Sequence, residues 1–490
     1  MDVLPIAPTD LFTPVPNIRT RTFFIVDDRL DQDALRNGLD TLIRDHWRKL
    51  GARLVGLPKK GKLVYHLPKE FAPDYELFRW SVEKNDHSID KVASSLLKPD
   101  LSSANDTNSE SEKPSQKKQE NGGVRMMPST DRVDSWFRPK DWPLEVKDDV
   151  GAPLLFVHLT LFTDASVLTL STPHVLCDQL GTAVLVKAWI GVVDGKAPPP
   201  MVGFDEDVLP GKKPFKEYPK SKTREKGKMK IKRKGERFVI VLSFIPELVM
   251  HPKEEAAMLL FPAALVDAIR ERHSKSATTG EKAETIKLTN ADFLTAVLTK
   301  LSRFGKTSKP MLALSQTINL RGRIPELAEE SKWRGFLHNS LVYATAHFRY
   351  YPAIPLGDIA RLNREAITGA LEKDEVDVRL AVTREMVRRK QGILICEPFE
   401  KLLSISNWTP AWRGLDFTPA LMVSAKEARG EKPLKLMVIG RGGEASGPGR
   451  YLARIMCKTE EGYWCDFRAA TKVFEKVKEY LAQDPMLENL

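Results

Sequence analysis

Apolar and polar positions follow clear periods in the first half of the chain. Residues 21–27 (RTFFIVD) form an apolar run that predicts a strand. Residues 31–50 repeat large apolar side chains at the spacing of one helical face, and Asp31 is placed to cap that helix. Two apolar runs at 154–162 and 167–170, separated by a short polar turn, predict a β-hairpin.

The hairpin leads into a turn at Pro173 and His174, after which residues 180–193 are apolar almost throughout and predict a buried helix. The second half repeats these ingredients, and Thr289 with Asp292 has the form of a capping box. Strands are predicted there at 237–243, 311–318, 340–348, 434–439 and 451–456, and helices at 262–273, from 289, and at 359–371, 377–390 and 469–481. Because strands and helices mix without strict alternation, the predicted fold class is α+β, with mixed sheets flanked by helices.

Length and composition divide the chain into two predicted domains. At 490 residues it exceeds what one ordinary hydrophobic core organises. We predict an N-terminal domain at 1–205 and a C-terminal domain at 237–490, joined by a basic crossover linker at 206–236. Residues near 99–130 are rich in Ser, Asn, Lys, Glu and Gln, which predicts a disordered insert in the first domain.

The net charge of +11 is concentrated in this crossover. Twelve Lys or Arg and two Glu lie between Lys212 and Lys234, which leaves a charge of about +1 on the rest of the chain. The run has few apolar or aromatic residues, which favours a solvated linker over a nucleic-acid-binding surface. We therefore expect no nucleic-acid partner.

The sequence shows no signal for export, membrane insertion or metal binding. No basic region followed by a long apolar run marks the amino terminus, and the most apolar stretch, 165–193, is interrupted by polar residues. These features predict a cytoplasmic protein without a membrane partner. The four cysteines lack zinc-ligand spacing and are too few for a disulfide scaffold, so we expect free thiols and no metal site.

A histidine at the end of a strand is the main candidate for chemistry. In the segment LSTPHVLCD the second hairpin strand leads into His174, and Asp178 follows four residues later. Imidazole titrates near neutral pH, so it can take the proton of an attacking hydroxyl or amine. A packed or surface histidine without a chemical role also fits this pattern. Cys177 fits a small packing residue better than a nucleophile.

Several ordered segments resemble one enzyme family. They are HVLCD at 174–178, LTNADFLTAVLTK at 288–300, TINLRGR at 317–323, LHNSL at 337–341, SISNW at 404–408 and LDF at 415–417. In this order they resemble the BAHD acyltransferases, particularly the fungal trichothecene 3-O-acetyltransferase-like branch, over nearly the whole chain. The resemblance implies two chloramphenicol-acetyltransferase-like lobes with a channel between them. Acyl-CoA, as co-substrate, and a small acceptor would meet there at His174, the general base.

The resemblance also implies roles for the other motif residues. Asp178 is expected to pair with Arg321 and hold the turn, with orientation of the imidazole as the alternative. Candidate donors to the anionic oxygen of the tetrahedral intermediate are Ser406, Asn407 and Trp408, whose alternative is an ordinary strand with a core tryptophan. The residues implied to bind acyl-CoA are Asn319, Arg321, Asn339 and Asp416. The expected enzyme is a monomer with no tightly bound cofactor and no metal.

Two departures from the family pattern affect this interpretation. Gln179 stands where glycine usually follows the aspartate, with Gly181 two positions later, and Thr418-Pro419-Ala420 replace Gly-Trp-Gly after Asp416-Phe417. The second departure bears on coenzyme A docking more than on the base, because proline fixes a backbone that glycine leaves free.

The predicted function is therefore an acyl-CoA-dependent O- or N-acyltransferase acting on a small specialised metabolite. One alternative keeps the fold but uses a carrier-bound acyl donor or catalyses a cyclisation. The other alternative is a degenerate, non-catalytic regulator, which the altered second motif would favour.

Overall fold

The computed structural model describes residues 1–97, 122–274, 286–442 and 448–490. Its strands are β1 (Asp2–Leu4), β2 (Arg19–Val26), β3 (Arg53–Leu57), β4 (Lys62–Leu67), β5 (Arg79–Lys84), β6 (Arg125–Met127), β7 (Phe156–Leu161), β8 (Ser166–Pro173), β9 (Glu254–Pro262), β10 (Met311–Asn319), β11 (Leu341–Arg349), β12 (Lys401–Asn407), β13 (Leu436–Arg441), β14 (Leu452–Lys458) and β15 (Gly462–Ala470). Its helices are α1 (Gln32–Thr41), α2 (Ile89–Leu97), α3 (Thr130–Phe137), α4 (Gln179–Val193), α5 (Lys220–Thr223), α6 (Lys234–Met250), α7 (Ala263–Ser274), α8 (Asn290–Ser302), α9 (Glu330–Gly335), α10 (Leu356–Ala370), α11 (Lys373–Arg388), α12 (Val423–Arg429) and α13 (Thr471–Gln483). The predicted α+β class with mixed sheets is confirmed.

The first lobe is built on a five-stranded sheet in the order β13, β2, β8, β7, β5. β7 and β8 form the predicted antiparallel hairpin, and β8 lies antiparallel to β2. α1 begins where Asp31 accepts the backbone N–H groups of Asp33 and Ala34, as the sequence predicts. α1 and α4 share one apolar core with this sheet, and the apolar residues of α4 are buried around most of its circumference, as the unbroken run indicates. A smaller sheet, β1-β4-β3, borders the same core.

The second lobe is built on a seven-stranded sheet in the order β11, β10, β12, β14, β15, β9, β6. It is mixed, because β10 and β12 are parallel while β10 and β11 are antiparallel. α7, α8, α10 and α13 contribute to a second apolar core with this sheet. The predicted capping box starts α8, since the Asp292 carboxylate accepts both the N–H and the hydroxyl of Thr289.

The two lobes exchange strands. β13 comes late in the chain but pairs with β2 at the edge of the first sheet. β6, from the first half, pairs with β9 at the edge of the second sheet. Residues 125–127 were predicted as part of a disordered insert near 99–130 but form β6. The rest of that prediction, up to residue 121, lies outside the described residues.

The crossover and the segment that follows it differ from their predictions. A strand was predicted at 237–243, but these residues lie in α6, because an unbroken apolar run fits a helix as well as a strand. The basic run is more than a solvated linker, since Tyr218 and Met229 are buried against α11. Lys230 and Lys232 both pair with Glu397. Over the described ranges, no helix is long and apolar enough to cross a bilayer.

Candidate active site

His174 begins the turn that follows β8. Pro173 closes the ladder with β2, and it has no N–H group with which to continue a strand. The N–H of His174 donates to the carbonyl of Ile18 at 2.9 Å, and the N–H of Leu176 donates to the carbonyl of Pro173 at 2.9 Å. The histidine backbone is therefore bound to the segment before β2 and lies within a turn closed by its own hydrogen bond.

The imidazole of His174 is only partly exposed. Its Nδ1 is buried and has no hydrogen-bond partner of ordinary geometry among the described residues. Burial lowers the pKa of this ring. The nearby loop backbone, Asp178 and Asn339 favour the protonated form, but their effect on the pKa is smaller than that of burial. The ring is thus neutral at neutral pH, which is the form a general base requires.

Asp178 caps the helix that follows the turn. Its Oδ1 accepts the N–H of Gly181 at 2.7 Å, and its Oδ2 accepts the N–H of Ser340 at 3.0 Å. Nη1 of Arg321 lies 3.1 Å from both carboxylate oxygens. The carboxylate is therefore saturated by an N-cap, a backbone amide and a buried ion pair.

Arg321 uses its donors on the protein. Its Nε donates to the carbonyl of Phe336 at 2.7 Å, and its Nη1 also donates to Oδ1 of Asn319 at 2.9 Å. Its Nη2 donates to the carbonyl oxygens of Leu337 and His338. With the contact to Asp178, all five guanidinium hydrogens have acceptors. This arrangement does not support the prediction that Arg321 binds acyl-CoA, because no donor remains for a ligand.

Asn339 connects the histidine turn to the first residues of the chain. Its Nδ2 donates to the carbonyl of His174 at 2.9 Å and to Oδ1 of Asp10 at 2.7 Å. The same Asp10 oxygen accepts the backbone N–H of Asn339 at 3.0 Å. Both side chains are almost fully buried, so Asn339 holds the turn from within and is poorly placed for acyl-CoA.

Asp10 is a residue that the sequence analysis missed. Burial raises the pKa of its carboxyl group to about 7, although the hydrogen bonds from Asn339 and the nearby Lys49 lower it. Asp10 ends a single 3₁₀ turn, Pro8–Asp10, and no local pattern distinguishes it from a surface acid. Only the tertiary contact with Asn339 shows that Asp10 lies next to the histidine turn.

Gly181 explains the first departure from the family pattern. A Cβ atom at this position would lie 1.8 Å from the carbonyl oxygen of Leu337 and 2.9 Å from Cβ of Cys177. The start of α4 therefore packs directly on the backbone of the 336–339 segment. Glycine is required where two backbones approach this closely, whereas Gln179 has space to donate to the Thr22 hydroxyl at 2.8 Å.

Ser406, Asn407 and Trp408 lie at the carboxyl end of β12. The indole N–H of Trp408 donates to the hydroxyl oxygen of Ser406 at 2.8 Å. Oδ1 of Asn407 accepts the N–H and the hydroxyl of Thr409, which forms a local turn. A Cβ at Gly440 in β13 would lie 2.7 Å from the Trp408 ring and 3.3 Å from the amide of Gln179. The indole therefore crosses from the second sheet to the first, close to the start of α4.

The second motif lies away from this cluster. Asp416 is exposed and accepts the N–H and hydroxyl of Thr418, which starts a short 3₁₀ turn. Phe417 is fully buried, with its ring 5.6 Å from that of Phe24 in β2. The motif therefore anchors its loop on the apolar core of the first lobe through Phe417. No contact among the described residues places Asp416 beside His174.

Cys177 is poorly suited to act as a nucleophile. Cys177 is fully buried, and burial raises the pKa of its thiol to about 11, so a thiolate nucleophile is disfavoured. Its Sγ lies 3.5 Å from the Thr182 hydroxyl. The described residues contain no cluster of three or more His, Cys, Asp or Glu side chains that could hold a metal ion.

Curated relatives align with most of the chain, and some are named acetyltransferases and others transcriptional regulators. Acetyltransferase pyiB of Pyricularia grisea is 25% identical over 98% of this chain and 94% of its own length. Acetyltransferase adrJ of Penicillium rubens is 26% identical over 84% of this chain and 80% of its own length. Transcriptional regulator sdnM of Sordaria araneosa is 24% identical over 97% of each. No protein-family model matches the chain.

Solved structures share the fold at lower identity. TRI101 of F. sporotrichioides, solved with coenzyme A and T-2, superposes with a TM-score of 0.63 at 13% identity, over 98% of this chain and 97% of that chain. Vinorine synthase superposes with a TM-score of 0.54 at 14% identity, over 97% and 92%. The fold and the relatives together define this chain as an acyltransferase. Its sequence is similar to fungal acetyltransferases such as pyiB and adrJ, and it shares the fold of TRI101 and vinorine synthase, as the resemblance implies.

Proposed function

We propose that the protein transfers an acyl group from acyl-CoA to a hydroxyl or amine of a small specialised metabolite, with His174 as general base. The observation that carries the proposal is the state of His174. Its ring follows the end of a strand and is partly exposed, its Nδ1 has no hydrogen bond of ordinary geometry among the described residues, and burial favours its neutral form. The coenzyme A bound to the structural neighbour TRI101 supports acyl-CoA as the donor.

The reaction is a direct transfer in this proposal. His174 takes the acceptor proton while the acceptor oxygen or nitrogen attacks the thioester carbonyl carbon. The carbonyl oxygen becomes anionic in the tetrahedral intermediate. As the intermediate collapses, the carbon–sulfur bond breaks, and the departing thiolate takes the proton back from the imidazolium. The products are the acylated acceptor and free coenzyme A, and the enzyme returns to its starting state without a covalent adduct.

We propose the Ser406 hydroxyl as the donor to the anionic oxygen. Trp408 was an equal candidate from the sequence, but its only donor, the indole N–H, is already directed at Ser406. That bond leaves the serine proton free to point elsewhere and orients its oxygen. A hydrogen-bond donor directed at a developing oxyanion stabilises the transition state by about 2.7 to 4 kcal/mol.

The buried polar residues around the turn act by position in this proposal. Asp178 and Arg321 fix one end of the turn, and Asn339 with Asp10 fixes the carbonyl of His174. We therefore reassign Asn319, Arg321 and Asn339 from acyl-CoA contacts to support of the turn. We also reassign Asp416 from an acyl-CoA contact to support of its own loop.

The test is acyl transfer by purified protein supplied with acetyl-CoA and a panel of hydroxylated and amine-bearing metabolites. We expect an acetylated product by mass spectrometry together with stoichiometric free coenzyme A. A parallel reaction supplies the acetyl group on a phosphopantetheinylated carrier protein. Product only from the carrier would support the alternative donor, and no product from either donor would favour the non-catalytic alternative that the regulator-named relative suggests.

A further inference from the structure

Helix α6 presents a continuous apolar stripe to solvent. Five exposed side chains are spaced at three- and four-residue intervals along one face, namely Phe238, Val241, Leu242, Ile245 and Val249, and Met250 is exposed at the end of the helix. Their exposed fractions run from 43% to 72%. Single exposed apolar residues are ordinary on protein surfaces, but an aligned stripe on one helix marks an interaction site.

The opposite face fixes the helix to the second lobe. Ile240 is fully buried in a small cluster with Ala313 and Cys396. Phe244 packs edge-on against Tyr451, with ring centroids 5.1 Å apart. Glu247 pairs with Lys306 at 2.8 Å and with Lys401 at 3.1 Å. The stripe is therefore held outward by contacts on the other side of the same helix.

The charges exposed beside the stripe are positive. Both acids of the helix are neutralised by lysines, Glu247 as above and Glu236 by Lys230 at 3.2 Å. Arg233, Lys234 and Arg237 at the amino-terminal end form no ion pair within the described residues. The helix thus combines an outward apolar face with uncompensated cations, which matches an anionic and apolar surface.

A second copy of the chain fits this face poorly. A helix of this length is about 25 Å long and about 10 Å wide, so two stripes would bury on the order of 500 Å². A specific dimer interface needs about 1,200 Å² or more. A lipid surface needs no matching shape, and it offers negative headgroups above an apolar interior.

We propose that α6 docks the protein on anionic membrane surfaces, with the stripe inserted at the interface and the basic end against the headgroups. This is peripheral binding by one amphipathic helix, and it is independent of the acyl-transfer proposal. It revises the expectation from composition that the protein has no membrane partner.

The test is co-sedimentation of the full chain with vesicles of equimolar phosphatidylcholine and phosphatidylserine. We expect binding to these vesicles, at least about tenfold weaker binding to pure phosphatidylcholine, and release by high salt. The variant Leu242→Glu/Val249→Glu removes apolar contacts and adds negative charge, so its bound fraction should fall by about tenfold or more. Its matched control is Leu57→Glu/Val423→Glu, because Val249 and Val423 are 72% and 70% exposed and Leu242 and Leu57 are 43% and 52% exposed.

Urea unfolding midpoints of both double variants should equal that of the wild type, since all four positions face solvent. The proposal is overturned if the wild type does not sediment with the anionic vesicles, or if both double variants bind equally. It is also overturned if size-exclusion chromatography shows a dimer that only the Leu242→Glu/Val249→Glu variant dissociates, because the stripe would then cover a second copy.

Discussion

The turn from His174 to Asp178 is built in opposite ways at its two ends. The Asp178 carboxylate accepts two backbone N–H groups and a buried guanidinium. At the other end, the backbone of His174 is fixed on both sides, but its ring nitrogen Nδ1 has no hydrogen bond of ordinary geometry in the described chain. A saturated group holds structure, whereas a partly exposed, neutral imidazole is available for proton transfer. In this short motif, Asp178 thus stabilises the turn and His174 is available for chemistry.

Removing the imidazole tests the chemical end of the turn and carries the largest expected effect. His174→Ala should lower kcat/KM for acyl transfer by up to about 10⁴-fold, because the acceptor proton loses its base. The free energy of unfolding should change little, since the side chain makes no hydrogen bond of ordinary geometry within the described residues. Release of coenzyme A with an acceptor found by the metabolite panel gives the rate, and urea unfolding gives the stability. If the free energy of unfolding fell by as much as the activation free energy rose, His174 would be a supporting residue like Asp178.

Removing the carboxylate tests the supporting end. Asp178→Ala leaves Arg321 buried without its counter-ion, so the free energy of unfolding should fall by about 3 to 5 kcal/mol. Removing both partners in Asp178→Ala/Arg321→Ala should cost less than the sum of the two single changes. Urea unfolding of the four proteins completes the cycle. If Asp178→Ala folds with normal stability and loses only rate, Asp178 orients the imidazole instead.

Variants at the carboxyl end of β12 test the oxyanion assignment. Ser406→Ala should lower kcat by about 10²- to 10³-fold with little change in KM, because the lost hydrogen bond forms mainly in the transition state. Trp408→Phe keeps the ring on Gly440 but removes the bond to Ser406, so a smaller fall in kcat is expected. Steady-state kinetics of both variants separates the roles. A larger effect at Trp408 than at Ser406 would make the indole the donor.

The pH profile tests the protonation state of the base. Burial lowers the pKa of His174 from its ordinary value of about 6.5. Because only the neutral ring accepts a proton, kcat/KM should be constant above this value and fall on the acid side with a midpoint below it. Asp10→Asn should leave that midpoint in place, which distinguishes His174 from the Asp10 carboxyl with its pKa of about 7. A midpoint above pH 6.5, or one that vanishes in Asp10→Asn, would contradict the assignment.

The second motif should give the smallest effect. Asp416 is exposed and bonds only within its own turn in the described structure. Asp416→Ala should therefore leave KM for acetyl-CoA within about twofold of the wild type. Initial rates across a range of acetyl-CoA concentrations measure it. A tenfold or larger rise would restore this residue to the coenzyme A site.

Sequence patterns predicted the elements with strong local signals. The hairpin β7–β8 was correct because its apolar runs flank a polar turn. The start of α1 was correct because Asp31 caps it, but α1 ends at Thr41, before the predicted end at residue 50. The run at 237–243 was assigned to the wrong element, because apolar side chains face both inward and outward in α6. The exchange of β6 and β13 between sheets could not be predicted, since it depends on contacts between distant parts of the chain.

The candidate site shows the same limit. The pattern placed His174 and Asp178 at the end of a strand, and the resemblance added the pairing with Arg321, which the structure contains. The place of Asp10 under Asn339 was missed, because a lone acid near the amino terminus carries no local signal. The need for Gly181 was also missed, because it arises from a backbone contact with Leu337, which is far away in sequence.

A crystal structure of the protein with coenzyme A bound would show directly whether the donor sulfur meets the imidazole of His174. We expect the thiol sulfur to lie within hydrogen-bonding reach of a ring nitrogen of His174. Coenzyme A bound with its sulfur on another surface, while His174 stays enclosed by protein side chains, would contradict it.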